Sequence, residues 1–491
     1  MTSTQSPPPV TMDYDIYPVH PTDDNKTNRE KTMSWTLRFN DILDAEKIQD
    51  SLRRLLEIGD WRKLGGRLRE KKDGKLELFA PQQFTAERPA FLYNHDALSD
   101  MSINEHPLAS RLPKASEGPS LQKFDGHFRP LAGPLGFPGN TAELISQDAP
   151  QLSLNITSFN DATLVTISWP HILMDALGYQ DLLRCWSLVV SGREEEVPPF
   201  LGATKDVLLE AEQSNSEKPE DFKLEGKRLG TLGTSMFLSR FVWDHLRNPP
   251  VETRVIFLPK KAFKKIQSQV QEEATAAAQD TDEKPCVGEG DALTAWFTRT
   301  VAWSEKKARP VTIGSLVNAR FRLSALANQR GVYIQNMVLG TFTFLSPQTA
   351  RGPMGPTAVA HRRHVIEQTT EQQTLSFMRY ARRMAEKSAN KTPMFGEKDA
   401  LPVMINNLTK AELIKTVDFS GAVTRQGDKT ESRSNPVGSA VNYHFQHWDE
   451  LMGFRNFFAV MGKDHDDNYW ITAAMFPNAW VKFEEEMERL R

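Results

Sequence analysis

The residues of this sequence best placed to do chemistry are His171 and Asp175, which stand four positions apart. Residues 152–169 are rich in β-formers on either side of a short turn and predict a buried hairpin, and an apolar helical period follows Asp175. At the junction of a strand and a helix, the backbone holds an imidazole rigidly while one ring nitrogen faces a cleft, as a general base requires. The spacing His-x-x-x-Asp is common by chance, however, and taken alone it favours a helix-terminal histidine without a chemical role.

The elements around this junction indicate a protein built from alternating strands and helices. Strand-like and helix-like segments follow one another in both halves of the chain, which predicts an α/β or α+β fold with mixed sheets. The polar, Pro-rich residues 1–12 predict a disordered tail. We expect a first domain over residues 13–195 that carries His171, a charged and Pro-interrupted connection over 196–235, and a second domain over 236–491.

Several elements of the first half can be predicted from local patterns. The apolar spacing of residues 44–56 predicts a helix, and Asp73-Gly74 predicts the turn of a hairpin. The many Pro and Gly residues over 107–150 predict an irregular surface excursion.

The second half gives comparable predictions. We expect a helix from Lys260 to about Gln271, followed by a polar, Ala-rich loop up to Gly290. Asp291 is a candidate N-cap for the next helix, because a carboxylate can accept the unpaired N–H groups of a first turn. One long helix is expected within residues 361–387.

Composition excludes several classes of protein. The 491 residues carry a net charge of -3, which supplies no field for holding nucleic acid or an anionic membrane. No run approaches the roughly 18 consecutive apolar residues of a membrane span, and the N-terminus lacks the basic and apolar regions of a secretory signal. The two cysteines, Cys185 and Cys286, are too few for a disulfide framework or a thiolate metal site. We therefore expect a cytoplasmic protein without nucleic-acid or membrane partners.

Five blocks of sequence are informative as an ordered set. They are SLRRLLEIGDWRKLGGRL (51–68), ITSFNDATLVTISWPHILMDALGYQDLLRCW (156–186), DALTAWFTRTVAW (291–303), VNARFRL with YIQN (317–336) and NNLTKAELIKTVDFSG (406–421). In this order they resemble the BAHD acyltransferases, the CoA-dependent family with the HxxxD signature. Five blocks in family order are much more specific than His171 and Asp175 alone, so the resemblance reverses the interpretation of His171 in favour of a catalytic role.

The resemblance implies both an architecture and a reaction. The fold would consist of two chloramphenicol-acetyltransferase-like domains, each a mixed sheet with flanking helices, around a central channel. The first would carry HxxxD, and the second a loop, residues 418–422, that is similar to the DFGWG loop of the family. The substrates would be an acyl-CoA, with acetyl-CoA as the expected donor, and an alcohol on a small hydrophobic molecule. No permanently bound cofactor is implied, and a monomer is expected.

The resemblance also implies roles for single residues. His171 would be the general base that takes the proton of the acceptor hydroxyl and returns a proton to the departing CoA sulfur. Asp175 would point away from the substrate and pair with an arginine. Arg320 and Arg322 are the candidate partners, with Asp418 taking the other one. The alternative is that these arginines are solvated residues on a strand.

Asn407 is the candidate for stabilising the oxyanion of the tetrahedral intermediate. Counted back from Asp418, it stands where the family often has a hydroxyl residue, and its amide could donate to the oxyanion. The alternative is that Asn407 only caps or turns a loop.

The sequence departs from the family pattern at two places, and the character of its spacers and second motif favours one branch of the family. Ala176 stands where most members have Gly, and the sequence DFSGA keeps the Asp-Phe of its loop but loses the Trp. The polar spacers, and a second motif (DFSGA) that matches the family loop only weakly, are more similar to fungal secondary-metabolite acyltransferases than to plant members. The fungal proteins meant are those of the trichothecene 3-O-acetyltransferase type.

Three other functions remain open at this point. The same site could transfer an acyl group to an amine, or the scaffold could be a binding protein without catalysis. A metal-dependent hydrolase is the third, since His444, His447 and Asp464 to Asp467 offer ligand atoms. Their spacing matches no standard set of ligands, so no metal site is expected.

Overall fold

The computed structural model describes residues 13–124, 128–133, 136–214, 222–278, 285–327, 329–387, 394–427, 433–447 and 455–491. The predicted disordered tail, residues 1–12, lies outside the described residues. Within them, strands and helices alternate along the chain and the sheets are mixed, so the predicted α/β class is confirmed.

The strands and helices have the following bounds. The strands are β1 (Tyr14–Pro18), β2 (Thr32–Phe39), β3 (Ile42–Leu43), β4 (Arg67–Glu70), β5 (Leu76–Pro81), β6 (Leu92–Leu98), β7 (Ser120–Lys123), β8 (Ser153–Phe159), β9 (Thr163–Pro170), β10 (Phe200–Leu201), β11 (Glu252–Leu258), β12 (Val311–Asn318), β13 (Val332–Tyr333), β14 (Val338–Leu345), β15 (Leu401–Asn407), β16 (Val423–Arg425), β17 (Asn442–His447), β18 (Phe457–Lys463) and β19 (Tyr469–Met475). The helices are α1 (Lys26–Arg29), α2 (Ala45–Leu55), α3 (Arg129–Ala132), α4 (Thr141–Ser146), α5 (Ala176–Val190), α6 (Val207–Ser214), α7 (Thr231–Arg247), α8 (Lys260–Ala277), α9 (Glu289–Ser304), α10 (Pro347–Arg351), α11 (Met354–Gln368), α12 (Glu371–Lys387), α13 (Leu413–Thr416) and α14 (Pro477–Leu490).

Two large sheets organise the molecule. The first has the strand order β17-β2-β9-β8-β6, and the second has the order β14-β12-β15-β18-β19-β11-β7. Each includes a strand from the other half of the chain, because β17 pairs with β2 and β7 pairs with β11, both antiparallel. The two halves are therefore joined by backbone hydrogen bonds as well as by side-chain packing. The boundaries proposed near residues 195 and 236 stay a prediction.

Strand β9 occupies the centre of the first sheet. All of its residues are buried, as expected for a strand covered on both faces. It pairs antiparallel with β2 and β8, so the predicted hairpin is confirmed. The Trp169 ring stacks on Tyr179 of α5 with 4.7 Å between centroids, and both rings contact Trp35 of β2. This aromatic cluster fixes α5 against the sheet and so fixes the turn between β9 and α5.

Two further local predictions for the first half are confirmed. The helix α2 begins after Asp44, whose side chain accepts a hydrogen bond from the backbone N–H of Lys47 at 3.0 Å. The strands β4 and β5 pair antiparallel, and Gly74 between them has φ +82°, a left-handed value that favours glycine. Here the local residue pattern alone determines the element.

The predicted N-cap at Asp291 was wrong. The helix α9 begins at Glu289 with Gly288 as its N-cap, so Asp291 is the third residue of the helix. Its carboxylate accepts a hydrogen bond from the N–H of Gly288 at 2.9 Å and pairs with Arg362 at 3.1 Å. A carboxylate within the first turn of a helix can stabilise the helix N-terminus as well as one at the N-cap does. The presence of an aspartate therefore did not determine which of these positions it occupies.

Three more predictions need correction. The helix α8 continues to Ala277, because the Ala-rich segment that we expected in a loop is a strong helix former. The supposedly irregular residues 107–150 contain β7, α3 and α4. The single long helix is two helices, α11 and α12, and the Thr370 hydroxyl accepts from the N–H of Gln373 at the start of the second.

Candidate active site

His171 lies in the turn between β9 and α5, where hydrogen bonds hold its backbone on both sides. Its N–H donates to the carbonyl of Lys31 at 2.8 Å, and its own carbonyl accepts from Asn336 Nδ2 at 2.8 Å. Lys31 precedes β2, whereas Asn336 belongs to the second half of the chain. The residue is therefore fixed by contacts from both halves, as a side chain that needs a defined position requires.

The imidazole of His171 is set up to be neutral at neutral pH. Burial lowers its pKa below the ordinary value, and the nearby charge of Lys31 lowers it further, although its own carbonyl, Asp175 and Asn336 oppose this. The Nδ1 atom is buried and has no hydrogen-bond partner among the described residues, while the residue as a whole is half-buried. This leaves Nε2 as the ring nitrogen able to exchange a proton with a substrate.

The carboxylate of Asp175 is fully occupied by structural hydrogen bonds. As the N-cap of α5, its Oδ1 accepts from the N–H groups of Leu177 at 3.1 Å and Gly178 at 2.9 Å. Its Oδ2 accepts from Arg320 Nη1 at 2.7 Å, Asn318 Nδ2 at 3.1 Å and the N–H of Met337 at 3.0 Å. The side chain is only 3% exposed, so Asp175 organises the turn after His171 and does not face a substrate.

Arg320 connects this carboxylate to the segment before β14. Besides its bond to Asp175, the guanidinium donates from Nη2 to the carbonyls of Tyr333 at 2.6 Å and Gln335 at 2.7 Å. It also donates from Nη1 to Asn318 Oδ1 at 3.2 Å. A planar group with several donors can join one carboxylate and two carbonyls in this way, whereas a lysine offers a single charged point.

Arg322 and Asp418, in contrast, do not contribute to this network. Arg322 is half-buried beside a cavity and forms no ion pair with a described residue. Asp418 is exposed, and its Oδ1 accepts from the N–H of Ser420 at 2.9 Å. The ring of Phe419 packs between Phe39 and Trp186, which leaves Asp418 facing outward. The expected pairing of Asp418 with an arginine is therefore not found.

Gly178 allows this segment to approach α5 closely. A methyl group at this position would overlap the carbonyl oxygen and carbon of Ile334, two residues before Asn336. We expect Gly178→Ala to lower the free energy of unfolding by about 1–3 kcal/mol, as overpacking of a rigid contact does. Urea unfolding of both proteins measures the effect. Gly226, around which a Cβ meets no atom within 4 Å, supplies the control Gly226→Ala. Equal stability of the two variants would contradict the close contact.

A cavity of about 350 Å³ opens next to the motif. The residues that follow His171 in the motif, Asp175 to Leu177, line it, although His171 itself is not among the lining residues. The ends of β12 and β15 and the start of α9 also line the cavity, which lies where the two halves of the chain meet. Its volume is in the range of small-molecule sites.

Asn407 lies at the end of β15 and lines this cavity. Its Oδ1 accepts a hydrogen bond from the N–H of Thr409 at 3.0 Å, while Nδ2 faces Gly290 at the start of α9. The side chain is exposed. The oxygen of the amide group therefore holds the loop after β15, and its N–H₂ lies beside Gly290, which also lines the cavity. Its role towards an oxyanion stays a prediction.

Two polar residues that sequence reasoning did not single out also belong to the site. The hydroxyl of Thr409 is buried without a hydrogen-bond partner among the described residues, and Thr409 lines the cavity. Asn336 holds the carbonyl of His171. The signal for Asn336 was present in YIQN, one of the blocks that resemble the family, but nothing in the sequence places its amide beside His171.

The chain has close relatives along its whole length. It is 33% identical to Acetyltransferase pyiB of Pyricularia grisea, covering 98% of this chain and 95% of that protein. It is 35% identical to O-acetyltransferase PaAT-2 of Phomopsis amygdali, covering 97% of this chain and 98% of the other. A relative with a different kind of name, Transcriptional regulator calD of Penicillium decumbens, is 30% identical, with 96% and 95% covered. No protein-family model matches the chain.

Solved structures share the fold at low sequence identity. The structure of TRI101 of F. graminearum, complexed with Coenzyme A and T-2 mycotoxin, matches with a TM-score of 0.65 at 12% identity, over 96% of this chain and 97% of that chain. Vinorine synthase matches with a TM-score of 0.54 at 10% identity, over 99% and 95%. Because nearly the whole chain is covered, both halves belong to the one fold that these structures share.

Proposed function

Because this chain belongs to the BAHD acyltransferase family, we propose that it transfers an acetyl group from acetyl-CoA to a hydroxyl of a small hydrophobic secondary metabolite. The observation that carries the proposal is the state of His171: a neutral, half-buried imidazole held by both halves of the chain, with the neighbouring carboxylate fully occupied. Its acetyltransferase relatives come from fungi and match it over the whole length.

In the proposed reaction His171 is the general base. Nε2 takes the proton of the acceptor hydroxyl while that oxygen forms a bond to the thioester carbonyl carbon. The tetrahedral intermediate then collapses, the carbon–sulfur bond breaks, and the proton returns from the imidazolium to the leaving CoA sulfur. Protons and electrons balance without any further reactant, so no metal or redox cofactor is part of the proposal.

Several features of the cavity support a CoA donor. TRI101, a structure with the same fold, was solved with Coenzyme A. The cavity of this chain lies where its own two halves meet. Lys410 and Arg322 both line it; Arg322 forms no ion pair with a described residue, and the Lys410 ammonium lies 5.1 Å from the centre of the Phe321 ring. Cations at the rim of a site suit the phosphates of a nucleotide-bearing thioester.

Asn407 is our proposed donor to the oxyanion. We expect Asn407→Ala to lower kcat by about 10- to 10³-fold with little change in the KM for acetyl-CoA, because such a donor acts in the transition state. The matched variant Thr409→Val removes the neighbouring buried hydroxyl and is expected to have a smaller effect. Steady-state kinetics on both variants measures this. A large loss of kcat in Thr409→Val with none in Asn407→Ala would transfer the role to Thr409.

Transfer to an amine is the main enzymatic alternative. An alcohol has to give up its proton as it attacks the thioester, whereas an amine can attack first and then lose a proton readily from the resulting ammonium group. A positioned base therefore matters more for alcohols. Matched pairs of acceptors, each an alcohol and the amine of the same skeleton, distinguish the two reactions. The proposal expects acetyl-CoA consumption with the alcohols and a smaller rate with the amines.

A binding protein without catalysis is the alternative that the name of calD raises. The net charge of -3 gives no support to a DNA-binding role. His171 of the HxxxD motif is also present, and contacts from both halves of the chain hold its backbone, as a catalytic base requires. Release of free thiol from acetyl-CoA that depends on an alcohol supports the enzyme, and its absence with every acceptor would support the alternative.

We also propose a cytoplasmic, monomeric enzyme. Cys185 and Cys286 are both unpaired, which fits a reducing compartment. Among the described helices, none has the length and apolar character needed to cross a membrane. Analytical ultracentrifugation of the purified chain tests the oligomeric state.

A further inference from the structure

A buried chain of hydrogen bonds runs from Asp23 to the backbone of His171. Asp23 is 3% exposed and lies in the turn before α1. Its Oδ1 accepts two hydrogen bonds from Asn336, one from the backbone N–H at 2.7 Å and one from Nδ2 at 2.8 Å. The same Nδ2 donates to the carbonyl of His171 at 2.8 Å. One amide group thus joins the N-terminal segment to the residue proposed as the base.

Hydrogen bonds of the residues before and after Asn336 hold this segment of the chain in place. On one side the carbonyl of Gln335 accepts from Arg320, and on the other the N–H of Met337 donates to Asp175. Asn336 reaches His171 through its side chain, while its backbone N–H donates to Asp23. Asp23 supplies the acceptor that orients that side chain.

The role that we infer for Asp23 is to accept hydrogen bonds, and it does not depend on the charge of the carboxyl group. Burial raises the pKa of Asp23 to about 7, against the lowering effects of Asn336 and of Lys63. Burial likewise lowers the pKa of Lys63 to about 8, and this ammonium donates to the carbonyl of Ala203 at 3.0 Å without forming an ion pair with Asp23. An oxygen atom at this position can accept from Asn336 in either protonation state.

We propose that Asp23 is a positioning residue for the reaction, which acts through Asn336 to fix the peptide of His171 and so the direction of its imidazole. This inference rests on the proposed function, because it assumes that His171 is the base. Asp23 lies too deep to touch a substrate, and Asn336 is 5% exposed, so neither is a catalytic residue. Their effect is expected in the geometry of proton transfer, where a misplacement of about 1 Å can cost roughly 10²-fold in rate.

The test compares Asp23→Ala, Asn336→Ala and the double variant by steady-state kinetics with the best acceptor. Each single variant is expected to lower kcat by about 10- to 10²-fold, with the KM for acetyl-CoA changed by less than about 3-fold. The double variant should be no slower than the slower single variant, because both remove the same connection. Asp23→Asn keeps an accepting oxygen and should retain kcat within about 3-fold of the wild type. If either alanine variant is insoluble, the test uses Asn336→Ser, because a serine side chain is too short to contact both Asp23 and the His171 carbonyl.

Asp41 offers a matched control. It is another fully buried carboxylate, which accepts from Arg433 and from the N–H groups of Gly427 and Gly438, but it follows the far end of β2 from His171. Asp41→Ala should lower the melting temperature without changing kcat of the folded protein.

The outcomes separate this inference from the proposed function. If His171→Ala keeps wild-type activity, the proposed mechanism is wrong. If His171→Ala is inactive while Asp23→Ala and Asn336→Ala keep wild-type kcat, the positioning role alone is wrong. It is equally contradicted if Asp23→Asn is as slow as Asp23→Ala, or if Asp41→Ala lowers kcat as much as Asp23→Ala does.

Discussion

His171→Ala is expected to lower the rate of acetyl transfer by at least about 10²-fold, which is the least that a positioned general base contributes. The imidazole acts on the transition state, so the affinity for acetyl-CoA should stay nearly unchanged. Stability should change little as well, because the hydrogen bonds that hold residue 171 come from its backbone N–H and carbonyl. Kinetics, calorimetric titration with CoA and thermal unfolding measure the three quantities.

His95 provides the control for this substitution. It is an exposed histidine on β6, hydrogen-bonded to Ser158 at 2.9 Å, and it lines no wall of the cavity. His95→Ala should therefore behave as wild type in all three measurements. Wild-type turnover of His171→Ala would remove His171 from the mechanism.

The pH dependence of the wild-type enzyme gives an independent view of the same group. Only the neutral imidazole can accept a proton, and burial lowers the pKa of His171 below the ordinary value of 6.5. Activity governed by His171 is thus present above this lowered pKa and is lost as the pH falls through it. The acid limb of kcat/KM should accordingly lie at a lower pH than that of an ordinary histidine.

The second large effect is expected for Asp175→Asn, and it should be an effect on stability. The new amide can still cap α5 with its oxygen, but its N–H₂ would then face three donors, from Arg320, Asn318 and the N–H of Met337. Breaking a buried ion pair by removing one partner costs about 3–5 kcal/mol. The melting temperature and soluble yield should therefore fall together with activity, which differential scanning calorimetry measures.

Asp44 serves as the matched control for Asp175, because it is also an aspartate N-cap, and among the described residues its carboxylate accepts only from the N–H of Lys47. Asn and Asp are nearly equivalent N-caps, so Asp44→Asn should change stability by less than about 0.5 kcal/mol. If Asp175→Asn were as stable as wild type and yet completely inactive, Asp175 would have a direct catalytic role instead.

Those parts of the fold that depend on neighbouring residues could be predicted from the sequence. The helix α2, the hairpin around Gly74 and the β9–α5 junction follow from apolar period, turn residues and β-formers within short windows. Long-range pairing could not be predicted in the same way. Nothing in the residues of β17 or β7 shows that each joins the sheet of the other half, because pairing over more than a hundred residues depends on the whole topology.

The residues of the candidate site likewise differ in whether they could be predicted from the sequence. His171 and Asp175 could be found from the sequence because four residues at a strand-to-helix junction form a local pattern. The choice of Arg320 over Arg322 could not, since it depends on how the chain turns after β12: Arg320 points to Asp175, and Arg322 points to the cavity. The contribution of Asp23 depends on a contact across more than three hundred residues, which no local pattern encodes.

Transfer of an acetyl group from acetyl-CoA to an alcohol can be followed in a single assay. The protein is incubated with isotopically labelled acetyl-CoA and a panel of small hydrophobic alcohols, and free thiol and product mass are followed together. We expect at least one alcohol to gain one labelled acetyl group, with one equivalent of CoA thiol released per product and none in the absence of acceptor beyond slow hydrolysis. A protein that binds CoA but releases no thiol with any alcohol, or one that acetylates only amines, would contradict this expectation.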